Sequence, residues 1–234
     1  MIKAGQLQLR QLNDYQTSLS SLSSISFSLG NLIPVLYQSG YLTIKGVNPR
    51  YRKFVALGYP NMEVESGFLN ELMAVYTPIP RSDTEFVITR FTDDVCDGRT
   101  DSFMQRLQSL FSGYQYDQME LGNLELHYRN VIYLVMRLMG FYTRAEMQTA
   151  NGRIDLAVRT DRFLYLFEFK LDGTAREALR QIDSRDYPMP FKADGRTIIK
   201  VGANFSSSLR SIEEWIALEV ADNGNMHHID SHLS

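Results

Sequence analysis

The stretch RIDLAVRTDRFLYLFEFK, residues 153–170, decides how this chain is read. Two apolar runs, 153–158 and 163–170, flank the polar Arg159-Thr160-Asp161-Arg162. That pattern predicts a β-hairpin. Side chains two apart on a strand point to the same side. Glu168 and Lys170 therefore share a face with Leu164 and Leu166, while Phe163, Tyr165, Phe167 and Phe169 form a core-facing stripe. Folding the hairpin about 159–162, with Val158 opposite Phe163, sets Asp155 opposite Leu166. Asp155 then lies on the face of Glu168, diagonal to it. A loop shorter by two residues keeps that relation, and a loop changed by one reverses it.

Two converging carboxylates suit a hard divalent cation such as Mg²⁺ or Mn²⁺, which takes one or two carboxylates and keeps several waters. Such an ion polarises a phosphodiester and activates a bound water. A lysine beside it can orient that water or hold developing negative charge. Each residue also has a plainer reading. Asp155 and Lys170 could be a structural ion pair. Glu125, in the first turn of the preceding helix, could add a third carboxylate or merely complement that helix's N-terminus, and Gln181, in the helix after the hairpin, could position a water or a phosphate or simply face solvent. Arg153 is either a phosphate contact or a strand-end charge. His127, Tyr128 and Tyr133 read as packing residues. The joint occurrence of the charged groups in one order of elements favours chemistry.

That order extends outward on both sides. Asn123 can cap a helix through Met139, closed by Gly140, and 145–149 suggests a strand. After the hairpin come a helix over 174–184, a strand over 197–205 and an amphipathic helix over 212–220 holding the single tryptophan, Trp215. The expected core is α-β-β-β-α-β. Upstream, 31–40 reads as a short helix ending at Gly40, 41–45 and 54–58 as strands, and 61–76 as a helix capped by Asn61 and stopped by Thr77-Pro-Ile-Pro80. Another helix is expected over 102–111. The expected organisation is a weakly structured lead-in over 1–27, a small, mainly helical α+β accessory region over 28–118, a catalytic α/β region over 119–221 and a polar tail over 222–234.

Composition narrows the function classes. Forty-four per cent of the 234 residues are hydrophobic, enough for a sizeable core. The single cysteine, Cys96, excludes an internal disulfide framework and a Cys-rich zinc site, and fits a cytoplasmic protein. No apolar leader is visible, and the longest apolar run, around 131–141, is broken by Arg137; no membrane association is expected. The net charge is −3, but Glu125 to Arg210 carries fourteen basic against ten acidic side chains, and Ser211 to Ser234 has five acidic and no Lys or Arg. A basic bias on the segment with candidate chemistry is compatible with a phosphate backbone as partner.

The runs ELHYRNVIYLVMRLMGFY from Glu125, GRIDLAV, FEFKLDGTAREALRQI, YPMPF and KVGANFS resemble the PD-(D/E)XK nuclease domain found behind AAA-ATPase-like domains in bacteria of Bacteroides type. The stretch from Leu32 to Thr77 resembles the segment that ends the ATPase-like region of such proteins. The resemblance implies a restriction-endonuclease-like mixed sheet flanked by helices. It implies Glu125, Asp155 and Glu168 as metal carboxylates, Lys170 as the catalytic lysine and Gln181 as the glutamine after the active strand. It implies Mg²⁺ or Mn²⁺ as cofactor, nucleic acid, notably DNA, as substrate, and a partner ATPase domain or a homo-oligomer as possible company. ATP binding is not expected, because no glycine-rich loop ending in Gly-Lys-Ser/Thr is present. The expected activity is metal-dependent hydrolysis of phosphodiester bonds. The alternative is a catalytically silent module of the same fold that binds nucleic acid or a protein.

Overall fold

The computed structural model describes residues 9–23, 32–112, 121–140, 143–145, 148–149, 152–153, 155–184, 195–220 and 226–232. A 3-10 turn over Leu9–Leu12 leads into β1 (Tyr15–Ser18) and α1 (Leu19–Ser23). Then follow α2 (Leu32–Gln38), β2 (Thr43–Val47), β3 (Phe54–Gly58), α3 (Met62–Tyr76), α4 (Thr84–Cys96) and α5 (Thr100–Ser112). Strands β1, β3 and β2 form an antiparallel sheet in that order. As the sequence suggests, the side chain of Asn61 caps α3, accepting from Val64 N at 2.9 Å.

The second half starts with α6 (Leu121–Leu138) and continues through β4 (Thr143–Ala145), β5 (Gln148–Thr149), β6 (Gly152–Arg153), β7 (Leu156–Arg159), β8 (Phe163–Leu171), α7 (Ala175–Ser184), β9 (Thr197–Ser206), β10 (Ser211–Val220) and β11 (Met226–His232). Its main sheet runs β11-β10-β9-β8-β7-β4. Among the described strands of this sheet only β8 and β9 pair in parallel; a helix, α7, lies in the crossover between them, as parallel neighbours require. The result is a mixed sheet flanked by helices, and the order α6-β4-β7-β8-α7-β9 is the expected one.

Four expectations need correction. Ile212–Val220 is a strand, not a helix. Asn123 lies inside α6, which begins at Leu121, and so does not cap it. Within the lead-in, residues 9–23 are ordered into the 3-10 turn, β1 and α1, and Leu9, Leu12 and Leu22 are buried. The strand expected over 145–149 divides between β4, in the main sheet, and β5, which pairs with β6.

The β8 stripe packs as its alternation dictates. Tyr165 and Phe167 are fully buried under α4, α5 and α6, in one cluster with Phe103, Tyr128, Val201, Phe205 and Trp215. The opposite face of the sheet carries Leu164, Leu166 and Ile198 against Ala175, Leu179 and Ile182 of α7. The boundary expected near 118 lies outside the described residues. On either side of it the buried side chains belong to one cluster, which includes Leu57 and Met73 upstream and Leu134 and Phe167 downstream. Arg137 of α6 also donates to Glu65 of α3 through two nitrogens, at 2.6 and 3.0 Å. No helix among the described residues is long and apolar enough to cross a membrane.

Candidate active site

The hairpin register sets up the site. Val158 pairs with Tyr165 and Leu156 with Phe167, so the turn is tighter by two residues than the 159–162 loop suggests. Thr160 closes it, donating from its backbone N to Phe163 O at 2.8 Å and accepting from Phe163 N on its hydroxyl at 2.9 Å. A shift of two preserves the parity of the strand. One step beyond the Leu156–Phe167 pair the ladder ends, and Asp155 turns its carboxylate to the β8 backbone, accepting from Phe169 N at 3.0 Å.

Helix α7 completes the arrangement. Its start carries the T-x-x-E pattern of a capping box, and Thr174 Oγ1 accepts from Glu177 N at 3.1 Å. The next strands hold that end down. Glu214 Oε1 accepts from Ala175 N at 2.5 Å, a carboxylate at the positive end of the helix dipole. Asn204 Oδ1 accepts from Gly173 N at 2.8 Å, while Asn204 Nδ2 donates to Glu213 Oε2 at 3.1 Å. One and a half turns further, Gln181 reaches β8. Its amide nitrogen donates to Glu168 Oε1, and Lys170 Nζ donates to its amide oxygen. Lys170 Nζ also lies 3.3 Å from Glu168 Oε1. Asp155, Glu168, Lys170 and Gln181 are thus gathered at one end of β8.

The electrostatics of this group are unbalanced. Glu168 is only 2% exposed. Its Oε1 is engaged by Gln181 and Lys170, but its buried Oε2 accepts no hydrogen bond among the described residues. Burial, and then the charge of Asp155, push its pKa up to about 7, and Lys170 together with a hydrogen bond from the Asp155 backbone offsets only part of this. A buried carboxylate with an unsatisfied oxygen next to a second carboxylate is a site short of positive charge.

Asp155 and Lys170 line a cavity of about 660 Å³ between the end of the sheet, α6 and the segment 10–16. Glu125 and Arg129 of α6 face the same cavity, as do Arg10 and Tyr15. Glu125 is exposed and pairs with Arg129 at 2.8 Å. Among the described residues no group of three or more His, Cys, Asp or Glu side chains could hold a metal ion. The structure therefore brings four of the five expected residues into contact and leaves Glu125 apart from the other two carboxylates.

The residues read as packing are packing. His127 is fully buried and stacks on Tyr76, with centroids 5.8 Å apart, and burial lowers its pKa to about 4. It is therefore neutral near pH 7. Tyr128 stacks on Phe205 at 4.3 Å. Tyr133 is buried and lies on the cavity wall. The side chain of Arg153 lies outside the described residues.

Gly202 and Asn204, which position α7, were not singled out from the sequence. The signal for Gly202 is a glycine inside the otherwise continuous strand TIIKVGANF, which marks a close backbone approach. Lys200 was missed as well. It is buried beside Leu166 in the β8–β9 register and donates to Asp183 of α7 at 2.6 Å.

Residues 123–215 match the PD-(D/E)XK nuclease superfamily, a segment that contains all five expected site residues. The chain is also similar to an uncharacterized protein in the vnfD 5′ region of Azotobacter chroococcum mcd 1, 32% identical over 203 residues. That alignment covers 80% of this chain and 38% of the relative, so the chain spans well under half of the relative's length. No solved structure matches.

Proposed function

We propose that this chain is a divalent-metal-dependent nuclease that hydrolyses phosphodiester bonds of DNA, with Asp155 and Glu168 as metal carboxylates and Lys170 as the catalytic lysine. The observation that carries the reading is the buried Oε2 of Glu168, without a hydrogen-bond partner among the described residues and beside a second carboxylate. An all-oxygen donor set of this kind fits Mg²⁺ or Mn²⁺, and two protein carboxylates suffice because Mg²⁺ retains several waters. When bound, the ion supplies Lewis-acid polarisation of the phosphate and a more acidic water.

The chain's own residues do the rest. Glu168 and Asp155 fix the charge at the end of β8. Gln181 holds one oxygen of Glu168 and the Lys170 ammonium in a single hydrogen-bonded group, which restricts where Nζ can point. Lys170 lies on the cavity wall, where it would orient an attacking water or hold the negative charge that develops on the phosphate. Glu125 and Arg129 face the same cavity. Glu125 would act there as a supporting carboxylate beside the two that would hold the ion.

Incubation with supercoiled plasmid in Mg²⁺ or Mn²⁺ tests this. Cleavage by wild type and none by Asp155→Ala or Lys170→Ala supports it; equal cleavage by all three overturns it. A second reading, a silent module of the same fold, draws on Lys170 being engaged by Glu168 and Gln181 and on Glu125 being paired with Arg129. Calorimetric titration with Mn²⁺ separates the two, because a silent module takes up no ion at millimolar concentration.

A further inference from the structure

The β2–β3 hairpin has a charge pattern unlike the rest of the chain. No acidic residue occurs from Tyr15 to Met62, while Lys45, Arg50, Arg52 and Lys53 fall within nine positions, in a protein of net charge −3. Residues 50–54 are all exposed, with Tyr51 58% and Phe54 48% accessible. Among the described residues no ion pair engages Arg50, Arg52 or Lys53.

The tip is also locally braced. Asn48 Oδ1 accepts from both Arg50 N and Tyr51 N at 3.0 Å, an Asx-type turn. Phe54 N donates to Tyr51 O, and Asn48 N to Phe54 O, each at 2.9 Å. Leu19 N donates to Lys53 O at 2.9 Å, tying the tip to the end of β1.

Strand β1 connects the tip to the cavity. Tyr15 and Gln16 line the cavity wall, and three residues later Ser18 pairs with Phe54 at the base of the tip. At about 3.3 Å per residue that is roughly 10 Å, or about three phosphates along one strand of a duplex. A nucleic acid whose backbone reaches the cavity would pass the cations.

We propose that the 48–53 tip, through Arg50, Arg52 and Lys53 with Tyr51 among them, is a sequence-independent docking surface for the sugar–phosphate backbone of a nucleic acid. The proposal rests on the nuclease reading for its choice of polyanion. Guanidinium groups grip phosphates in a fixed fork, and a braced turn loses little freedom when they do. Lys45 is a lesser contributor, because its Nζ already donates to Pro60 O at 3.0 Å.

The test is fluorescence anisotropy of the full chain with a labelled 30-base-pair duplex of arbitrary sequence, in EDTA, between 50 and 200 mM salt. The variant Arg50→Ala/Arg52→Ala/Lys53→Ala is expected to bind at least about tenfold more weakly and to lower the slope of log affinity against log salt by about two to three, at roughly 0.9 per phosphate. Arg50→Lys/Arg52→Lys should recover most of the slope. A triple variant matching wild type in affinity and slope overturns the proposal. So does one that loses binding to phosphatidylserine vesicles but keeps the duplex. Should wild type bind the duplex with the expected dependence on the tip and yet never cleave in Mg²⁺ or Mn²⁺, the nuclease reading fails and the docking surface stands. Should it cleave while the triple variant binds normally, the reverse holds.

Discussion

Glu168 and Gly202 stand side by side across the parallel β8–β9 pair, and the missing side chain of Gly202 lets α7 lie directly on the sheet. A Cβ at 202 would sit 2.3 Å from Ala175 O and 2.9 Å from Leu179 N, both backbone atoms that cannot swing aside. The helix that delivers Gln181 to Glu168 depends on that gap.

Gly202→Ala is therefore expected to push α7 outward, at a cost of about 1–3 kcal/mol, and to separate Gln181 from Glu168. Supporting partners of metal ligands typically matter about 10- to 100-fold, so Mn²⁺ affinity should fall by at least about tenfold. Thermal unfolding and a Mn²⁺ titration read the two effects. An unchanged affinity would mean that α7 does not position the carboxylate.

The pKa of Glu168 makes a prediction about pH. Between its ordinary value near 4.5 and its folded value of about 7, the folded chain holds a proton that the unfolded chain has released. Metal-free stability should then fall as pH rises through that window, by about 3 kcal/mol in all. Above about pH 7 the loss is complete. Glu168→Gln should flatten the dependence and melt higher than wild type at pH 8 without metal. Mn²⁺ should bind wild type up to about tenfold more tightly per pH unit up to about 7, since the ion displaces the proton. Melting curves at pH 5 to 8.5, with EDTA and with Mn²⁺, check both statements.

Lys170→Ala should separate binding from chemistry. It removes a cation beside Glu168 and so should leave Mn²⁺ binding at least as tight as in wild type. Cleavage should drop by about 10²–10⁴-fold. Single-turnover cleavage of a labelled duplex measures this. A variant that loses metal and activity together would assign Lys170 a structural role.

Arg137→Ala tests whether the two halves share a core. The change leaves Glu65, 12% exposed at its side chain, with its bidentate partner gone. A loss of about 1–3 kcal/mol is expected, because Glu65 is left largely buried without a partner while the Arg137 side chain is itself 39% exposed. Because Leu57, Met73, Leu134 and Phe167 belong to one cluster, urea should unfold the chain in a single transition, shifted to lower concentration in the variant. Two separated transitions would mean independent domains.

The central hairpin was legible because strand alternation is a parity rule. The turn is two residues tighter than its polar stretch suggests, yet Asp155 still meets the β8 backbone beside Glu168. The helix reading of Ile212–Val220 has a definite physical source. A bulge between Ile212 and Glu214 puts an extra residue in β10, so Ile212 pairs with Phe205 and Trp215 with Ala203. Residues three apart then share a buried face, which imitates helical spacing. Strand β1 was hidden for another reason. Its sequence, Tyr-Gln-Thr-Ser, is mostly polar, and its partner β3 lies about forty residues away. Long-range pairing of that kind leaves no local trace. Glu125 is legible in the sequence as a carboxylate in the first turn of the helix before the hairpin, and its pair with Arg129 follows from i,i+4 spacing; its separation from the other two carboxylates does not follow from spacing.

The most direct test of the central claim is anomalous scattering from a crystal soaked in Mn²⁺. A single peak at about 2.0–2.2 Å from oxygens of both Asp155 and Glu168, with Lys170 Nζ close by, is the expected result. A peak elsewhere, or none at millimolar Mn²⁺ with Glu168 still held by Gln181 and Lys170, would contradict it.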